Sequence, residues 1–195
     1  MKKLERLGMK QGWVYETIIS TGRYRLPHAA PFGIWTDDYI TIKSNFYKGS
    51  KTLDNILSFR NYAVNLPRDT RPFYTALFEE EQMAFLRSRK IDAPVMDHSA
   101  ACLELTVKGI EEKETSFVIE GSVVHSRMGE GVCLFNRAQS LVMESLVMAT
   151  RIHHMSPTVA EARLNENLRV IRKVAPDSDF QTMAESMQKK LGLPC

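Results

Sequence analysis

The run Lys48-Gly49-Ser50-Lys51-Thr52 holds the residue types best suited to chemistry in this chain. It joins an apolar stretch ending at Phe46 and Tyr47 to a segment with Leu53, Ile56, Leu57 and Arg60 at three- and four-residue spacings, which predicts a short helix starting near Thr52. A helix start leaves backbone N–H groups unpaired. Those donors, the helix dipole, the Ser50 and Thr52 hydroxyls and the Lys48 and Lys51 ammonium groups together suit a dianionic phosphate. Gly49 would let the backbone approach it closely. The same residues also suit ordinary helix capping beside surface lysines, so both readings stand at this point. A Walker A loop is excluded, because the leading glycine and the Gly-Lys pair are both missing.

A second stretch is Pro27-His28-Ala29-Ala30-Pro31-Phe32-Gly33, inside a strand predicted over Leu26 to Trp35. Its two prolines cannot donate to a ladder, so one side of the strand is an edge or a bulge. Ala29 and Ala30 leave space above the backbone. A flat ligand against the edge would use both features; an edge strand with nothing bound uses neither. His28 is either a polar contact to such a ligand or a strand residue facing solvent. No metal is expected: His153 and His154 are adjacent and diverge on a helix, and there is no His-Glu-x-x-His or Cys/His cluster. No Gly-x-Ser-x-Gly elbow marks a nucleophile. Arg137 and Arg151 suit local carboxylates, or a ligand reached across a dimer interface.

The elements that must position these residues are mostly strands. Trp13 to Thr21 reads as the first, Thr21-Gly22-Arg23 as a turn, and Tyr39 to Lys43 and Tyr62 to Leu66 as later strands. Arg71 to Leu77 reads as a short helix, capped by Asp69 or Thr70 with Pro72 at its first position. Glu79-Glu80-Glu81 and Arg87-Ser88-Arg89-Lys90 read as solvated charge clusters without chemistry. Leu103 to Lys108 and Phe117 to Val124 alternate cleanly and form a hairpin through Glu111 to Thr115. Six strands in meander-like order with one early helix predict a mainly β protein built on an antiparallel barrel. From Phe135 the period becomes helical. Asn136 with Gln139 resembles a capping box, opening a helix through Leu141, Val142, Leu146, Ala149 and Ile152 that is apolar on more than one face. Ser156-Pro157 starts another, with Val159, Ala162, Leu168 and Ile171 inward, and Asp177 or Ser178 opens a last one ending before Gly192. The expected domains are a barrel over 1–130 and a helical region over 131–195, packing on the barrel or at a dimer interface.

Composition narrows the function classes. With 44% hydrophobic and 25% charged residues, the chain reads as globular. A net charge of +3 with no basic stripe argues against nucleic acid as a partner. No apolar run approaches the ~20 residues of a membrane span, and the basic N-terminus has no apolar stretch after it, so neither membrane nor export is expected. Cys102, Cys133 and Cys195 lack metal spacing and suit reduced thiols in the cytoplasm.

The stretches Gly22…Pro27-His28-Ala29-Ala30-Pro31-Phe32-Gly33, Tyr47 to Ile56 and Ala63-Val64-Asn65-Leu66 together resemble the FMN-binding split-barrel superfamily of flavin reductases and pyridoxamine-phosphate-oxidase-like proteins. With Phe135-Asn136-Arg137-Ala138 and Glu144 to Arg151 added, the chain looks more closely like an uncharacterised, largely archaeal branch of it, in order over residues 14–155. The resemblance implies an FMN-binding split barrel whose ring lies along His28, Ala29, Ala30 and Pro31. Lys48, Gly49, Ser50, Lys51 and Thr52 would hold the phosphate, and Asn65 would touch the ring or the ribityl chain. It further implies a homodimer with flavin near the interface and a small-molecule substrate or electron donor. The implied function is a flavin-dependent oxidoreductase; a non-catalytic FMN module (sensor, store or electron carrier) or a binder of another phosphorylated ligand are the alternatives. Three departures stand out. The turn before the proline-rich stretch is lengthened by Arg23 to Leu26, His28 stands where asparagine is common, and the arginine-rich substrate signature of pyridoxamine-phosphate oxidases is missing.

Overall fold

Short β-branched runs separated by turn residues fold the first part of the chain into a barrel. The computed structural model describes residues 3–129 and 132–192. Two units are distinct: Met1–Gln11 with Glu16–Phe135, and Gly12–Tyr15 with Asn136–Cys195.

In the first unit a single helical turn, α1 (Lys3–Arg6), precedes β1 (Tyr15–Arg23), β2 (Leu26–Trp35) and β3 (Thr41–Tyr47). Helix α2 (Lys51–Phe59), β4 (Asn61–Leu66) and α3 (Arg71–Phe78) follow. Then come a 3₁₀ turn at Glu80–Gln82, the two short strands β5 (Phe85–Leu86) and β6 (Val95–Met96), and the long hairpin β7 (Ala101–Glu112) and β8 (Ser116–Met128). Six strands close a barrel in the order β1-β2-β3-β8-β7-β4, and β5 and β6 form a separate two-stranded sheet. β1 meets β4 with Ile18 opposite Asn65 and Ser20 opposite Ala63, which closes the circle. Ile19, Ile34, Phe46, Tyr62, Leu103, Leu105 and Ile119 are fully buried. Phe46 packs against both Phe32 and the edge of Tyr62.

The proline-rich part of β2 leaves the barrel incompletely zipped. β2 and β3 pair only through Ile34↔Ser44 and Trp35↔Lys43, so Pro27 to Gly33 carry no ladder on that side. The edge expected from the prolines is present.

In the second unit, α4 (Arg137–Ala149), α5 (Pro157–Val174) and α6 (Asp179–Lys190) pack around Ala138, Val142, Leu168, Ile171, Val174 and Ala184. The Asn136 side chain caps α4 by accepting from the Ala138 N–H, and its amide donates to the Val14 and Val174 carbonyls. That bond, with Val14 N–H to Val174 O, ties 12–15 to the helices.

Several expectations shift. β1 starts at Tyr15, not Trp13, and runs through the supposed turn to Arg23, the bend falling at Tyr24 and Arg25. Gly22 is needed within the strand: its φ is +85° and a Cβ there would lie 2.6 Å from Leu26 O. β3 begins at Thr41 rather than Tyr39, because Asp38 Oδ1 takes the Ile40 and Thr41 N–H groups and holds a turn. α4 ends at Ala149, and Ile152 sits in a separate 3₁₀ turn. On α5 the inward face is Ala160, Leu164, Leu168 and Ile171; Val159 and Ala162 face outward, one step off the expected phase. Cys195 lies outside the described residues. No helix among the described residues is long and apolar enough to cross a membrane.

Candidate functional site

The head of α2 is built as its sequence implies. Ser50 is the N-cap, accepting from the Leu53 N–H while donating its own proton to Tyr47 O at 2.8 Å. Gly49 adopts φ +79°, and a Cβ on it would meet nothing within 4 Å, so the space above the turn is open. The N–H groups of Lys51 and Thr52, the first two of the helix, follow that turn, and Lys51 is exposed. Three of the expected phosphate donors are used inside the protein, the Thr52 hydroxyl among them through His28. The Ser50 hydroxyl is consumed by the cap. Lys48 turns to the β7–β8 hairpin, donating to Glu112 Oε1 at 2.6 Å and lying 5.3 Å from the Phe117 ring centre.

β2 and α2 are brought together by one side chain. His28 Nε2 lies 3.0 Å from the Thr52 hydroxyl, and His28 Nδ1 lies 2.7 Å from Glu80 Oε1. The same carboxylate oxygen accepts the Ala29 N–H at 3.0 Å. With Nδ1–H donated to the carboxylate, Nε2 accepts the Thr52 proton, which makes a continuous Glu80–His28–Thr52 chain from the open strand edge to the helix head. Partial burial alone would raise the Glu80 carboxyl, but the Ala29 N–H, the His28 ring and the Lys51 charge outweigh it and hold the group below its ordinary 4.5. A carboxyl lowered in the folded state stabilises the fold above its unfolded value and loses that contribution as pH falls through the folded value. Glu80→Gln is therefore expected to be less stable than wild type at neutral pH. The gap in urea midpoints should shrink as pH falls below the ordinary 4.5 and through the lowered folded value; a gap independent of pH would remove the carboxylate from this network.

Ala29 and Ala30 alternate across β2. Ala29 is fully buried beside Ile18, Ala76 and Met96, whereas Ala30 and Pro31 are partly exposed. Asn65 is fully buried, its amide donates to Ile18 O and Ser20 Oγ, and its carbonyl accepts the Met96 N–H at 2.8 Å. Both amide N–H groups and the carbonyl thereby join β1, β4 and β6. Glu80 is the site residue that sequence reasoning missed, since it lies within a charge cluster that has no periodic relation to β2.

Comparison with known proteins follows the same barrel. The family described as Protein of unknown function (DUF447) matches through its N-terminal domain over residues 15–130 and through a second segment over 136–189. An FMN-bound protein of that family from Methanosarcina mazei is similar at 20% identity over 96% of this chain and 99% of its own, with a TM-score of 0.58. An NADH:FAD oxidoreductase of Streptomyces globisporus aligns at 12% identity over 63% of this chain and 76% of its own, TM-score 0.54. A flavoredoxin from Methanosarcina acetivorans aligns at 16% over 60% and 69%, TM-score 0.52. The fold is shared with all three.

Proposed function

This chain belongs to the DUF447 family, and we propose that it binds FMN, with the phosphate at the head of α2 and the ring along the open edge of β2, as a flavin-dependent oxidoreductase. One observation carries the reading: the His28–Thr52 hydrogen bond puts an unpaired strand edge and a helix N-terminus, 24 residues apart in sequence, at one place. The residues present fit the group. The Lys51 and Thr52 N–H groups, the Lys51 charge and the open space over Gly49 suit a phosphate. The partly exposed Ala30 and Pro31, beside the unpaired edge, suit a flat ring. His28 orients the Thr52 hydroxyl, and Glu80 orients His28. When bound, FMN supplies hydride and electron transfer, while the protein binds and orients it. A ring acceptor reaching Ala29 would replace Glu80 Oε1 at that N–H. In the same reading a second copy of the chain closes over the ring as a homodimer, and the free thiols Cys102 and Cys133 suit the cytoplasm.

The absorbance spectrum of freshly purified protein tests the cofactor. Flavin bands, or FMN uptake by the colourless protein, are expected. Lys51→Ala should weaken uptake by about 1.5 kcal/mol, roughly tenfold in Kd, because a charged donor to phosphate is lost. A protein that neither carries nor takes up FMN removes the reading. Anaerobic NADH or NADPH should bleach the bound flavin; binding without bleaching by any donor would leave a non-catalytic FMN module.

A further inference from the structure

We propose a second anion site, separate from the α2 head, that takes a small molecule bearing a dianionic phosphate group. It is a hollow of about 450 Å³ on the face of the β7–β8 hairpin that β5 and β6 frame. The register explains how its residues meet. Cys102 lies opposite Arg127 and Glu104 opposite His125, and two-residue alternation puts all four on one face of the sheet. Arg87 and Arg89 enter from the segment after β5. Three arginines and a histidine therefore line one hollow with a single glutamate.

That carboxylate does not neutralise them. Glu104 is only 3% exposed, and its two oxygens accept the Arg89 N–H at 2.8 Å and the Lys90 N–H at 2.6 Å. It holds the backbone of the arginine-bearing loop in place. Arg87 also lines the hollow, and its guanidinium stacks on the Tyr24 ring with Cζ 4.7 Å from the ring centre. Among the described residues no hydrogen bond or ion pair holds the Arg89 or Arg127 guanidinium. Three like charges around one hollow raise the local positive potential, which favours an anion there. Three arginines against one carboxylate leave an excess of two positive charges, the complement of a phosphate dianion. Planar guanidinium groups are also the side chains that grip phosphate in bidentate fashion. The volume lies in the range of small-molecule sites.

The probe is inorganic pyrophosphate, titrated calorimetrically into protein first saturated with FMN. One further site is expected. Arg89→Ala with Arg127→Ala should weaken it at least about tenfold, whereas Lys51→Ala should leave it unchanged, which separates this site from the α2 head even if FMN does not bind there. Both arginines are exposed, so the variant should fold, and a melting curve checks it. Pyrophosphate should raise the melting temperature of wild type but not of the double variant. The proposal is overturned if wild type takes up no pyrophosphate, if the double variant binds it as tightly, or if citrate binds equally well, since the last would mean charge without phosphate recognition.

Discussion

Ala30→Leu is expected to give a folded protein that no longer takes up FMN. The strand places Ala29 and Ala30 on opposite faces. Ala29 is buried in a cluster with Ile18, Ala76 and Met96, while Ala30, on the face it shares with His28 and Phe32, keeps part of its surface exposed beside the unpaired edge. A leucine at 30 therefore adds its bulk at a partly exposed position beside the open edge, in the layer proposed for the flat ring. Loss of about two orders of magnitude in Kd, near 3 kcal/mol, is expected from obstructing that layer. Ala29→Leu should behave in the opposite manner: it overpacks the core and should cost about 1–3 kcal/mol of stability. Flavin titration and thermal melting of both variants distinguish the two alanines. A yellow Ala30→Leu protein would mean that the ring does not lie on this edge.

The contrast between neighbours also shows what the sequence could and could not convey. The two prolines announced an open edge because a missing N–H is a local chemical fact, and β2 has the predicted bounds of Leu26 to Trp35. Ser50 announced the helix start for the same reason: a capping hydroxyl acts three residues along the chain. What stayed hidden was long-range. Glu80 reaches Ala29 across 51 residues, Lys48 reaches Glu112 across 64, and Asn65 joins Ile18 across 47, and none of these pairs has a period to reveal it. The basic cluster around Arg87 and Arg89 read as solvated surface because Arg127 and His125 join it only through the β7–β8 register. Polar residues were legible in type, but their partners were fixed by the closing of the barrel. The Val159 and Ala162 misassignment has a different cause. α5 mixes alanine and valine on both faces, so its phase is set by Leu164 and Leu168 packing within the helical unit.

The barrel interior gives the largest stability effect expected here, at Gly121. This residue pairs with Ile42 on one side and Val107 on the other, with ordinary strand backbone, so a side chain meets no conformational penalty. The obstacle is steric. A Cβ would stand 2.4 Å from Tyr62 Oη, 2.8 Å from Leu105 Cδ2 and 3.0 Å from Tyr62 Cζ. Tyr62 cannot retreat easily, being fully buried and set edge-on to Phe46 at 6.3 Å between ring centres. Gly121→Ala should therefore cost about 3 kcal/mol, the upper part of the usual range for overpacking. The nearest obstacle is a hydroxyl that makes no hydrogen bond among the described residues, and burial, with Glu120 nearby, raises its pKa well above the ordinary tyrosine value. Tyr62→Phe alone should therefore leave stability unchanged or slightly raised, since no hydrogen bond is lost. Combined with Gly121→Ala, it removes the 2.4 Å approach while the contacts at 2.8 and 3.0 Å remain. The double variant should recover part of the loss, a coupling of about 1–2 kcal/mol measured by urea unfolding of all four proteins. Strict additivity would show that Tyr62 moves aside at no cost, and that the ring does not set the spacing between β4 and β8 across the core.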